Sequence, residues 1–358
     1  MKVLLISRLL LKTPPDTWGG VEQVVAQEAV ELTKAGHEVI VFCRSGSQLP
    51  PIIRSYEFPS GWGIGAELAM ASTLRDLLKD QDVDFVHDHS AFLGLRDIIL
   101  DFDIPYLAQS HGDAERKYLQ PGMTNVAFCS KGARAHSEWD ERAPVLTPPF
   151  GTDPADLQDV YPEIERSPDT LMWLAGIWEL KRPDIAMTVA EDIGLKIHIY
   201  GHISDHTYWH KTYARDTEMV KYMGPLGAYS ESKWRAYQTC AAFLFTSIGM
   251  DASPGVVKEA QTLGCYPIAT RVGGVPELID PYETGQPDTP LGSLIDVDGY
   301  TKGAIVEGFV DTLADIDLHG SDSNRRAMRA HARDRYTAKA YVEEVMKVYE
   351  RLIDGDTW

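Results

Sequence analysis

Residues 17–43 read TWGGVEQVVAQEAVELTKAGHEVIVFC, and the apolar run KVLLIS stands before them at residues 2–7. Neither KVLLIS nor HEVIVFC (37–43) alternates apolar with polar residues, which suits parallel strands covered on both faces. Between them VEQVVAQEAVELTKAG (21–36) carries apolar residues at helical spacing, and Gly36 closes it as a helix C-cap. Strand, helix and strand in that order are the building block of a doubly wound parallel sheet.

The alternation continues outward from this unit. ELAMASTLRDLLKD (67–80), VDFVHDHS (83–90), IPYLAQSHGD (104–113), NVAFCS (125–130) and KGARAHSEW (131–139) follow as helix and strand candidates. Residues 148–169, PPFGTDPADLQDVYPEIERSPD, are rich in Pro and Asp without a sustained period and read as a linker. The pattern then restarts with TLMWLAG (170–176), RPDIAMTVAEDIG (182–194), LKIHIYG (195–201), SESKWRAYQTC (230–240), AAFLFTS (241–247) and YPIATRVGG (266–274). The end, AKAYVEEVMKVYERLIDGDTW (338–358), has apolar Ala340, Val342, Val345, Val348 and Leu352 at helical spacing. The expected organisation is a first Rossmann-like domain over 1–160, a second over 161–335, and a terminal helix over 336–358 that packs back on the first.

Length and composition agree with this reading. A chain of 358 residues exceeds the size at which single cores stop growing, and 44% hydrophobic with 24% charged residues is ordinary for a folded protein. The formal net charge of -19 argues against nucleic acid as a partner, because phosphate binding needs concentrated Lys and Arg. Cys43, Cys129, Cys240 and Cys265 lie far apart without a CxxC pair, so buried thiols in a reducing cytoplasm are expected. No stretch of eighteen apolar residues exists, so no membrane-spanning helix is expected. The start, MKVLLISRLLLKTPP, is interrupted by Arg8 and lacks a small-residue cleavage site, and it reads as a strand rather than a signal peptide.

Two doubly wound domains turn their strand C-termini and helix N-termini toward a shared cleft, where oriented N–H groups favour a diphosphate. The G-x-G-x-x-G fingerprint of a nicotinamide enzyme is missing after the first strand of either domain. Residues 251–279 read DASPGVVKEAQTLGCYPIATRVGGVPELI. Near the start of a helix, the Glu259 carboxylate can accept hydrogen bonds from a ribose diol, while Asp251 on the preceding loop reaches deeper into the cleft. Between them ASPGV offers exposed backbone N–H groups, placing Gly255, Val256 and Val257 at the ligand.

This segment resembles the donor-binding signature of the retaining GT-B glycosyltransferases of family GT4 (glycosyltransferase group 1). Their E-x7-E pair, followed by EA, a glycine, a P-(V/I)-(V/I/A)-T strand and GG-x-x-E, is matched by Asp251, Glu259-Ala260, Gly264, PIAT, Gly273-Gly274 and Glu277. WGGVEQVV resembles the glycine-rich loop after the first strand, which implies that Gly19 and Gly20 let backbone approach the sugar or diphosphate. AQSHGD resembles the strand end that bears the family's active-site histidine, which makes His111 its candidate. AGIWELKRPD resembles the G-R-x-x-x-x-K-G diphosphate loop: aligned without gaps, Lys181 takes the lysine position and Gly176 the arginine position. Arg182, next to Lys181, is the substitute for the missing charge.

The resemblance implies an α/β GT-B fold and an enzyme of the hexosyltransferase type. It moves a sugar, with retention, from a nucleotide-diphosphate sugar to an unidentified hydroxyl acceptor. His111, Asp251 and Lys181 are the catalytic candidates; Gly19, Gly20, Arg182, Gly255, Val256, Val257 and Glu259 are the substrate-binding ones. No cofactor is expected beyond the donor, for which a UDP-sugar is the first choice. No metal is expected either: VHDHS (His87, Asp88, His89) is the nearest cluster, and adjacent residues on an extended strand point to alternating faces. The alternatives are a catalytically silent nucleotide-sugar-binding protein, motivated by Gly176 and Asp251, and a nucleotide-sugar epimerase of similar fold.

Overall fold

A computed structural model gives the fold and describes residues 1–112, 119, 123–149, 167, 169–213, 216–285, 290–316 and 322–358. Most of the expected linker, 148–169, lies outside these residues. By their contacts the residues form two units, Met1–Gly151 with Tyr336–Trp358, and Thr152–Arg335.

In the first unit β1 (Lys2–Ile6), β2 (Glu38–Arg44), β3 (Arg54–Phe58), β4 (Phe85–Asp88), β5 (Tyr106–Ser110) and β6 (Val126–Phe128) make one sheet in the order β3-β2-β1-β4-β5-β6. Its pairings are parallel. The unbroken apolar run of β1 has its reason here, since Val3, Leu4, Leu5 and Ile6 are all 0% exposed. The helix Gly20–Lys34 joins β1 to β2 and buries Val21, Val24, Val25 and Leu32, one stripe at helical spacing. Gly36 follows at φ +90, with its N–H on the Thr33 carbonyl at 3.0 Å, in the left-handed cap that glycine adopts without steric cost.

The terminal helix Ala338–Ile353 begins at Thr337, whose hydroxyl accepts from the Ala340 N–H. It buries Tyr341, Val345, Val348, Tyr349 and Leu352 and packs on the helix Gly20–Lys34. Val345, Val348 and Leu352 each contribute roughly 1.5–3 kcal/mol by leaving water. Trp358 completes the attachment: its indole N–H donates to the Val126 carbonyl at 2.8 Å.

In the second unit β7 (Thr170–Leu174), β8 (Lys196–Tyr200), β9 (Val220–Gly224), β10 (Ala242–Phe245), β11 (Tyr266–Thr270) and β12 (Ser293–Ile295) run in the order β12-β11-β10-β7-β8-β9. Renumbered from its own first strand this is the same topology as the first sheet. Its core joins Leu171, Trp173, Ile197, Ile199, Leu244 and Ile268 to Ile185, Val189 and Phe309 from the covering helices. Each unit is a doubly wound α/β domain. Its strand order reverses between β1 and β4 in one and between β7 and β10 in the other, and ligands of open α/β sheets bind where that reversal leaves a crevice beyond the strand ends.

Candidate active site

In the second unit the residues leaving β7 and β10 meet at the reversal. The chain after β7 makes a 3-10 turn, Glu179–Lys181, and the residues after β10 hold its carbonyls in place. The Ile248 N–H donates to Leu180 O at 2.8 Å, and the Thr246 hydroxyl lies 3.0 and 2.8 Å from the carbonyls of Lys181 and Arg182. Thr246 is itself fixed by the buried Trp173 indole, which donates to it at 2.9 Å. Thus anchored, Lys181 puts its Nζ 2.5 Å from Oδ2 of Asp251, with both side chains about one-fifth exposed. Two residues singled out from separate motifs form one ion pair.

Asp251 is also held through its backbone, which accounts for the Gly-Gly pair. Gly274 donates its N–H to the Asp251 carbonyl at 2.8 Å. Gly273 has φ +51, and a Cβ there would stand 2.2 Å from the same carbonyl oxygen. Gly273→Ala therefore forces the Asp251 loop to move, in addition to about 1–2 kcal/mol for a left-handed non-glycine residue. Its chemical-denaturation midpoint is expected to fall and its turnover to fall further, since the loop carries the ion pair. A variant matching wild type in both measurements refutes this account of the glycine.

The structure turns Arg182 elsewhere. Standing at φ +50, it directs its guanidinium onto Asp184 as a two-bond fork of 2.8 and 3.0 Å. Asp184 also accepts from Tyr208 at 2.6 Å and pairs with Lys302 at 2.9 Å. Burial pushes its carboxyl up, but the bonds from Arg182, Tyr208 and Lys302 prevail and hold it well below the usual range. Lys181 and Arg182, adjacent in sequence, thus serve different carboxylates, and the fork explains why this arginine is tied down. At Gly176 an added Cβ would face His202 at 3.1 Å.

The helix Gly255–Thr262 starts after Pro254 with no side chain capping its N-terminus. Gly255 is exposed, whereas the Val257 side chain is buried in the core and its N–H already donates to the Pro254 carbonyl at 3.2 Å. Glu259 is only 4% exposed. Its Oε1 is ion-paired with Lys233, and its Oε2 accepts from the Tyr237 hydroxyl at 2.9 Å. The carboxylate expected to await a ribose is thus also an internal anchor to the helix Glu231–Thr239. Each oxygen retains a second lone pair for a ligand. Lys233 and Tyr237 were not singled out from sequence. Their spacing of four, on one face of a helix, was the available signal.

In the first unit His111 follows the end of β5 and joins a buried polar chain. Its Nε2 lies 2.9 Å from Nδ1 of His89, and its Nδ1 lies 3.4 Å from Sγ of Cys129. Nε2 of His89 lies 3.1 Å from Oε2 of Glu28, and Nδ1 of His87 lies 2.8 Å from Oε1. Tyr349 donates to Glu28 Oε1 at 2.9 Å, and the Tyr341 hydroxyl lies 3.3 Å from Oε2. Alternation along β4 separates Asp88, which accepts from Tyr106 at 3.1 Å, from the two histidines. It does not separate His87 from His89, two positions apart, and Glu28 from another element joins them. Glu28, His87 and His89 bring three nitrogen and oxygen atoms within 4.8 Å, a cluster that reading the strand alone did not foresee.

Nearby, Glu67 accepts from the N–H groups of Phe92 and Gly94 at 2.9 and 2.8 Å and shapes the loop after β4. Burial and the Asp88 charge push its carboxyl up to about 7. In the loop after β1, a Cβ on Gly19 (φ +139) would strike Glu22 and Leu11 at 2.9 Å, so its close approach is to the chain's own side chains. A Cβ on Gly20 would meet nothing within 4 Å.

Residues 18–142 match the family described as Glycosyltransferase Family 4, and residues 169–315 match the one described as Glycosyl transferases group 1. No curated protein matches in sequence. Among solved structures the chain is similar to AviGT4, a glycosyltransferase involved in avilamycin A biosynthesis, with 22% identity, a TM-score of 0.76 and coverage of 100% of this chain and 99% of the other. It is similar to sucrose-phosphate synthase from Thermosynechococcus elongatus, with 16% identity, a TM-score of 0.73 and coverage of 99% and 100%. It is also similar to Anabaena HepE, solved with UDP and glucose, with 13% identity, a TM-score of 0.66 and coverage of 98% and 99%. At these identities the likeness shows the fold. Among the described residues no helix is long and apolar enough to cross a membrane.

Proposed function

Because the chain belongs to the family 4 (group 1) glycosyltransferases, as its two family matches show, we propose that it transfers a sugar with retention from a UDP-sugar to a hydroxyl acceptor, without a metal ion. The observation that carries this reading is the Lys181–Asp251 pair at the β7/β10 reversal, beside a helix N-terminus that no side chain caps. A departing nucleoside diphosphate gathers negative charge, and a fixed ammonium with oriented N–H groups stabilises that charge more in the transition state than in the ground state. Lys181 and the N–H groups of Gly255 and Val256 are assigned to the diphosphate, Asp251 to the sugar hydroxyls, and the spare lone pairs of Glu259 to the ribose.

In the first unit, to which the acceptor is assigned, His111 is assigned to a substrate hydroxyl. Retention follows from attack on the face that the phosphate leaves, with the leaving phosphate taking the acceptor proton. The structures of HepE with UDP and glucose and of TarM with UDP support the choice of nucleotide by likeness of fold.

The test is incubation with UDP-, GDP-, ADP- and TDP-sugars, with and without EDTA, read by proton NMR of the anomeric signal. Release of UDP with an unchanged anomeric configuration, undiminished by EDTA, is the expected outcome. An inverted product refutes retention, and abolition by EDTA with rescue by a divalent ion refutes the metal-free reaction. Binding without turnover supports the silent protein, and an altered sugar without free nucleotide supports the epimerase.

A further inference from the structure

The polar chain behind His111 runs through the interior of the first unit, and its protons can be assigned from charge and distance. Glu28, His87 and His89 are each 0% exposed. A carboxylate so buried persists only with partners: Glu28 is bonded by His87 at 2.8 Å and Tyr349 at 2.9 Å and has the His89 ring at 3.1 Å, while the Tyr341 hydroxyl, 3.3 Å away, makes its shorter bond, 2.6 Å, to Gln109 Oε1. Burial pushes its carboxyl up, but the two histidines outweigh this and hold it well below the usual range, so it is an anion.

Glu28 Oε2 lies 3.1 Å from Nε2 of His89, off the line of a hydrogen bond, and a negative charge that close favours a proton over a lone pair on that nitrogen, which leaves the His89 Nδ1 as the lone pair. That lone pair, 2.9 Å from His111, accepts only from a proton on the His111 Nε2. The His111 Nδ1 is left as an acceptor; the Cys129 sulfur stands 3.4 Å away, but its thiol proton is given to the Ser110 carbonyl at 3.2 Å, so the Nδ1 lone pair is not consumed by it. We propose that Glu28 and His89 are positioning residues that lock His111 in its Nε2-protonated tautomer and so present its Nδ1 as a hydrogen-bond acceptor for a substrate hydroxyl. A fixed carboxylate behind a histidine chooses the tautomer of the ring in front of it. Here the choice passes through one further imidazole.

The surroundings keep His111 neutral. Burial, then His89, Arg8 and His87, push its imidazole well below the ordinary value, and Glu28 alone among the leading influences opposes them. The groups facing the chain are Arg8 after β1, Glu28 on the crossover helix, His87, Asp88 and His89 on β4 and its end, Cys129 after β6, and Tyr341 and Tyr349 on the terminal helix. Of the carboxylates, Glu28 faces His87 and His89, while Asp88 is turned toward Tyr106 and Ser90.

The inference rests on the proposed transfer reaction only for its kinetic readout. In the full chain labelled with 15N-histidine, long-range nitrogen–proton NMR at neutral pH is expected to show His111 protonated at Nε2 and bare at Nδ1. A ring protonated at Nδ1, or a doubly protonated one, overturns the proposal without reference to activity. Glu28→Gln is expected to scramble that tautomer. It should lower kcat by about tenfold or more, the scale of one lost charged hydrogen bond, while the KM for the donor stays constant.

Removing the anion lowers the histidine's affinity for protons, so the acidic limb of the kcat profile moves to lower pH in Glu28→Gln. A residue that only stabilises the fold leaves tautomer and limb in place, and that result also overturns the proposal. Should Glu28→Gln fail to fold, the wild-type spectrum decides alone.

Discussion

Lys181→Met is expected to reduce sugar transfer by about 10²–10³-fold, the scale on which removing one group that stabilises developing oxyanion charge acts in other enzymes. Methionine keeps the length and apolar stem of the side chain, so packing over the Phe245 ring, 5.7 Å from Nζ, is largely kept and the charge is what changes. The loss should fall on kcat. Affinity for free UDP should weaken less, because before the bond breaks the ammonium is shared with Asp251 at 2.5 Å. Asp251→Asn tests that sharing from the other side. It should lower transfer by about tenfold or more, through a lost charged hydrogen bond to the sugar, while releasing Lys181 so that UDP binds at least as tightly as in wild type. The double variant should be less impaired than the product of the two single effects, as residues in direct contact couple. Transfer by Lys181→Met within threefold of wild type, or a larger effect from Arg182→Ala, removes Lys181 from the assigned role.

Glu259→Ala is expected to cost about 3–5 kcal/mol in stability, because it strands a buried lysine without its counter-charge. Lys233 is 7% exposed, and the Tyr237 hydroxyl would lose its carboxylate partner at 2.9 Å and keep the Val256 carbonyl at 3.2 Å. The readout is the midpoint of the denaturation transition that UDP stabilises. Glu259→Gln separates anchor from ligand contact: the amide oxygen still accepts from one partner, and the shape is conserved. This variant should stay folded yet bind UDP about tenfold or more weakly, from a lost charged hydrogen bond to the ribose. If Glu259→Gln binds UDP as wild type does while Glu259→Ala unfolds, Glu259 is an anchor alone.

These two expectations differ in how far each could be read in advance. Lys181, Asp251 and Glu259 were all legible as motif positions, because loops after strands and helix starts can be placed by local pattern. Their partners were not. Lys181 meets Asp251 across 70 positions, Lys233 meets Glu259 across 26, and His87 meets Glu28 across 59. Arg182 illustrates the same limit at short range. It sits beside Lys181 in sequence, yet its left-handed backbone and the carboxylate of Asp184, itself held by Tyr208 and Lys302, give it a different employment.

By itself the sequence determined the alternation of strand and helix, the division into two α/β halves and the location of the Asp251–Glu277 signature. Each of these is written in periods of two to four residues or in glycines that the backbone requires. The tertiary structure alone placed Glu28 under His87 and His89, the His111 Nε2 against His89 with Cys129 beside its Nδ1, and Glu259 between Lys233 and Tyr237. Such pairings depend on which strand lies beside which, and parallel strands joined by long crossovers acquire their neighbours only when the sheet assembles. In the water-poor interior that results, a carboxylate takes whichever donors the packing has brought within reach, because leaving it without them costs more than any local preference can offset.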